Sequence, residues 1–143
     1  MSDVGIKREI FIEAKPSTIF SYFTDAAKLR LWLGQQAKLE PAESGRIEID
    51  MNGHDIVLGT FKTIDPYERI VFTWGWKGSD VHPPGSSIVD IALKPDAGGT
   101  WLHLQHSSVP ESERECHEDG WNRNLPQLRD VLTNDGTIGQ GAS

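Results

Sequence analysis

The stretch PESERECHEDGWNRNLPQLRDVLTN, residues 110–134, decides the fold. Trp121, Leu125, Leu128 and Leu132 step by four, three and four, and His117 lies four residues before Trp121, so all five fall on one stripe of a helix. Such a helix of roughly 25 residues would run about 37 Å, longer than an ordinary strand. Glu111, Glu113, Glu115 and Asp119 lie mostly off the stripe. Pro126 removes one backbone hydrogen bond and bends the helix, and Gly120 is a second weak point. Beyond it, residues 135–143 are small and polar apart from Ile138 and read as a flexible tail. A helix with one apolar face must hide it against another element.

The preceding sequence supplies that element. Residues 36–40, 45–51, 55–64, 68–77, 86–95 and 99–107 read as short strands. Turn residues separate them: NG at 52–53, DPYE at 65–68 and DAGG at 96–99 are tight reversals. Links this short join antiparallel neighbours, because a parallel crossover needs a dozen residues or more. The longer link GSDVHPPGS, residues 78–86, reads as an exposed loop. At the start of the chain, IKREIFIEA, residues 6–14, suits a first strand. PSTIFSYFTD places Ile19, Phe20 and Phe23 at helical spacing, and Asp25 can cap a second short helix carrying Leu29, Trp32 and Leu33, with Gly34 as its stop. The order is strand, two helices, six strands and a long helix. This α+β pattern of six or seven antiparallel strands hides both apolar faces if the sheet curls and the last helix lies across its concave side.

Composition limits the partners. The chain has 143 residues, enough for one domain, taken as 1–134, with its own core. Lys and Arg number 14 against 21 Asp and Glu, a formal net charge of −7 with the basic residues scattered. A nucleic-acid backbone or an anionic membrane surface would repel that surface. A lone cysteine, Cys116, excludes an internal disulfide. The opening residues carry no apolar signal segment, so a cytoplasmic location is expected.

No metal, cofactor or catalytic motif is expected. His103 and His106 stand three apart on a strand and so face opposite sides. Cys116 and His117 are adjacent on a helix and diverge by about 100°, a poor geometry for a thiol nucleophile and its base. The acidic residues form no evident pair, and the Gly-x-Gly patterns do not open a helix. His106 is distinct, because it continues the row Thr100, Leu102, Leu104 at the end of a strand. It is either a satisfied core histidine or a polar contact at a cavity mouth. Phe72, Trp74 and Trp76 likewise share one strand face, and Trp32 and Trp121 converge on the same space between helix and sheet.

The segments FIEAKPSTIFSYFTD through Trp32, TIDPYERIVFTW, GGTWLHLQHSSVP and GWNRNLPQLRDVL, taken in this order over residues 6–133, resemble the START-like (SRPBCC) superfamily. Within it they are most similar to the family named for the activator of the heat-shock-protein-ninety ATPase. The resemblance implies a helix-grip fold with an apolar cavity between the sheet and the C-terminal helix. The co-chaperones that name the family, with their link to the stress response, carry a separate N-terminal domain, for which there is no room before Ile6. The expected function is binding of a small apolar or aromatic molecule, with Phe20, Trp32, Trp76, Leu104 and Trp121 as walls and His106 as the polar contact. The alternatives are an enzyme of the cyclase, dehydratase or hydrolase kind using the same cavity, and an interaction module for a chaperone.

Overall fold

The computed structural model describes residues 5–142, with side chains described through Thr133. The elements are β1 (Ile6–Ile12), α1 (Pro16–Thr24), α2 (Ala26–Leu29), β2 (Gln36–Leu39), β3 (Arg46–Asp50), β4 (Ile56–Asp65), β5 (Arg69–Trp74), β6 (Ser87–Asp96), β7 (Gly99–Ser107), a short 3-10 turn (Glu111–Glu113) and α3 (Arg114–Ala142). The seven strands form one curved antiparallel sheet in the order β1-β7-β6-β5-β4-β3-β2. Among the described residues, only the β1–β7 strand pairing is distant in sequence, because β1 is separated from β2 by the two helices and closes the far edge of the sheet beside β7. The expected tail, residues 135–143, lies outside the residues whose side chains are described.

The helical stripe is the buried face of α3. His117, Trp121, Leu125, Leu128 and Leu132 are all 7% exposed or less. Each apolar member contributes roughly 1.5–3 kcal/mol by leaving water. The helix continues through Pro126, and Arg8 Nε donates to Asn122 Oδ1 at 2.7 Å, tying α3 to β1. On β7 the side chains of Thr100, Leu102, Leu104 and His106 are buried in alternation with more exposed neighbours, the parity expected of one row facing the helix.

Three local expectations need correction. α2 is a single turn, capped as expected by the Asp25 carboxylate accepting from the Ala27 N–H, and the chain then turns through Arg30–Leu33. That turn carries Trp32 back under α1, so its indole packs edge-on to Phe23 with centroids 5.1 Å apart and its N–H bonds to the Tyr22 carbonyl. β5 ends at Trp74, and Trp76 continues only as an isolated bridge to Val57. Gly75 between them is required by close approach: a Cβ there would lie 1.9 Å from the Pro83 carbonyl oxygen. The 78–86 link therefore folds back over the end of β5. Val81 within it is exposed, yet His82 is completely buried.

Candidate functional site: an aromatic pocket beside a buried histidine cluster

The backfolded loop, the end of β5 and the first turns of α3 meet at one end of the space between sheet and helix. Trp74 stands at the centre, with the rings of Trp76 and Trp121 at 5.9 and 5.6 Å and those of His106 and His117 at 5.5 and 6.3 Å. A pocket of about 420 Å³ opens here. Trp74, Trp76, Trp121 and His117 line it, with Arg123, Asn124, Asn52 and Asp55 among the polar residues around them. A larger depression of about 540 Å³ along β2–β5 has no aromatic side chain and is bordered by Lys38, Glu40, Arg46 and Glu48. It lacks the wall that an apolar ligand needs.

Behind the pocket, hydrogen bonds fix the imidazoles. Trp121 Nε1 can only donate, and it meets His106 Nδ1 at 3.1 Å, so the His106 proton resides on Nε2. That Nε2–H donates to Ser87 Oγ at 2.9 Å. Ser87 sends its own proton to the Trp74 carbonyl at 2.9 Å, so it also accepts from His82 Nε2 at 2.7 Å. His82 Nδ1 faces Glu113 Oε1 at 2.8 Å, and a proton must lie between them. His117 Nδ1 donates to the Glu113 backbone carbonyl at 2.9 Å.

Two buried polar atoms are left over. Among the described residues, Trp74 Nε1 and His117 Nε2 are the buried side-chain nitrogens or oxygens without a partner. The first is a donor and the second, with Nδ1 protonated, is a lone pair. An unmet buried polar group costs about 1–3 kcal/mol, so a pair of them in one place calls for an explanation. Burial, reinforced by the imidazoles of His117 and His82, pushes the His106 pKa down from 6.5 to about 2. Burial also lowers that of His117, against the opposing effect of its hydrogen bond to the Glu113 carbonyl.

The residues named from the sequence separate into two groups. Trp76 and Trp121 line the pocket. His106 adjoins them, but both its ring nitrogens are engaged within the protein, which leaves neither for a ligand. Phe20, edge-on to Tyr67 at 5.5 Å, and Trp32 and Leu104 belong to the packed core. Sequence reasoning missed His82, hidden in a loop whose composition signals exposure, and placed His117 on the buried stripe but weighed it only as a base for Cys116. The available signal was a histidine in a stripe otherwise made of Trp and Leu.

A curved antiparallel sheet gripping a C-terminal helix, with a pocket at one end of the interface, defines a helix-grip domain of the START-like class. The chain belongs to the family described as Activator of Hsp90 ATPase homolog 1-like protein, which matches residues 13–133. It is similar to the solution structure of an AHSA1-like protein from Rhizobium etli, 36% identical, covering 92% of this chain and 82% of that one with a TM-score of 0.73. A protein from Mesorhizobium loti superposes with a TM-score of 0.81 at 19% identity, covering 92% of this chain and 98% of its own. DynU16, from the dynemicin biosynthetic locus, gives 0.78 at 19% identity over 90% of this chain and 47% of that chain. No curated protein matches the chain. Among the described residues, no helix is long and apolar enough to cross a membrane.

Proposed function

We propose that this domain binds a small apolar or aromatic molecule in the pocket between Trp74, Trp76 and Trp121. The observation that carries the reading is the unpartnered, buried N–H of Trp74 beside two further indoles in a space of about 420 Å³. Three aromatic faces supply contact area, and the Trp74 N–H, closed to solvent beside them, would select a carbonyl or hydroxyl oxygen once ligand entry uncovers it. Arg123 and Asn124, on the helix side, suit a polar outer end. The occurrence of a structural neighbour in a biosynthetic locus supports a small-molecule role. We take binding rather than turnover as the activity, because His106, the residue best placed by sequence for proton transfer, has both nitrogens occupied.

The test is titration with a naphthalene sulfonate probe, read by tryptophan fluorescence. Saturable quenching or shift is expected, and Trp76→Ala should weaken the probe by about tenfold, the loss of roughly 1.4 kcal/mol of aromatic contact. Probe binding shown by calorimetry without any change in tryptophan emission would place the ligand elsewhere. Native mass spectrometry of protein from its own host, finding a chaperone and no small molecule, would favour the interaction-module alternative.

A further inference from the structure

We infer that His82, Glu113 and His117 form a binding site for one divalent transition-metal ion, with zinc the best fit. Their ligating atoms all lie within 4.8 Å of one another. They arrive from separate parts of the chain: His82 from the loop that Gly75 allows to fold back, Glu113 from the 3-10 turn and His117 from the first turn of α3. Two imidazoles and one carboxylate make a three-ligand set that leaves a fourth tetrahedral position open.

The hydrogen bonds around these side chains have the pattern that orients metal ligands. A coordinating histidine presents one nitrogen to the metal and donates its other N–H to an oxygen. His117 does this with Nδ1–H on the Glu113 carbonyl, and its Nε2 lone pair is buried and without a partner. His82 does it with Nε2–H on Ser87 Oγ, itself anchored to the Trp74 carbonyl. The Nδ1 of His82 then faces Glu113 Oε1 at 2.8 Å, with a proton between them that the metal would displace into solvent. Ligand atoms on a tetrahedral zinc lie about 3.3 Å apart, given bonds of about 2.0–2.2 Å. The His82–Glu113 contact needs to open by a few tenths of an ångström, while His117 closes in. Glu113 retains 27% side-chain exposure, enough for an entry route. Nitrogen donors favour zinc, cobalt or nickel over magnesium or calcium.

The site explains what the apolar pocket does not, namely why a histidine that helps bury α3 keeps an unmet lone pair. His117 is shared with the wall of that pocket, whereas His82 and Glu113 are not, so Glu113→Gln should weaken zinc and leave the naphthalene probe bound.

The experiment uses the full chain, stripped with a chelator and titrated with zinc sulfate by calorimetry and with cobalt chloride by visible absorption. One zinc per chain, the intense visible bands of four-coordinate cobalt and release of a proton on binding are expected. Glu113→Gln and His117→Gln, each checked by near-ultraviolet dichroism, should lower zinc affinity by more than about tenfold, and Ser87→Ala by about tenfold through the orientation of His82. Should His117→Gln fail to fold, Glu113→Gln on its partly exposed turn decides alone. Absence of stoichiometric zinc binding, a weak octahedral cobalt spectrum, or unchanged affinity in Glu113→Gln would overturn the site.

Discussion

The two ends of the helix–sheet interface contain the same kind of residue and treat it differently. At the α1–α2 end, Trp32 is 2% exposed, packs edge-on to Phe23 and donates its N–H to the Tyr22 carbonyl. At the β5–α3 end, Trp74 is just as buried at 3% exposed, yet its N–H has no partner and a pocket opens against its ring. Burial alone does not distinguish core from site. The state of the polar atom differs between the two ends: closed by the Tyr22 carbonyl at one, unpartnered beside a pocket at the other, and it is on this difference that the proposed binding role rests.

Truncating the buried side chains at either end should have the largest effects. Trp32→Ala should cost about 3–5 kcal/mol in urea unfolding, since it removes a filled core volume together with the hydrogen bond to the Tyr22 carbonyl. If this variant is as stable as the parent, the α1–α2 end is not the packed core described. At the other end, Ser87→Ala should cost about 2–3 kcal/mol, because the imidazole N–H groups of His82 and His106 both lose their acceptor. A neutral result there would mean that water replaces the hydroxyl.

A third test uses pH on metal-free protein. The His106 pKa is lowered in the folded state, so the unfolded chain takes up a proton first as the pH falls below 6.5. Its contribution to stability is complete above that value and is lost progressively toward about 2, the folded pKa. Each unit corresponds to about 1.4 kcal/mol, so acidification from 6.5 to about pH 5 should cost about 2 kcal/mol, and His106→Gln should flatten that slope. His117, lowered for the same reason, acts with the same sign. An unchanged slope in the variant would show that His106 is not buried neutral. The smallest effect sharpens the contrast: Trp74→Phe should change stability by less than about 1 kcal/mol, because the N–H it removes has no partner to lose. A large destabilisation would reveal a hidden partner and remove the main difference between the two ends.

The sequence by itself determined the architecture. Period-two runs broken by NG, DPYE and DAGG turns fixed the strands to within a residue or two, apart from the later end of β5. The stripe from His117 to Leu132 fixed which face of α3 is buried. These are local signals, since strand alternation and helical spacing are written in neighbouring residues. The sequence also assembled Trp76 and Trp121 around one space. Only the tertiary structure decided which polar groups meet. Whether Trp32 faces core or pocket depended on a helix ending one turn early, and whether His106 was free depended on Trp121 and Ser87, distant from it by 15 and 19 positions. The grouping of His82 with Glu113 and His117 joins positions about thirty residues apart through a loop whose proline, glycine and serine content resembles an ordinary exposed turn. No periodicity encodes such a meeting, because it follows from Gly75 letting one backbone pass against another, and that contact exists only once the sheet has formed.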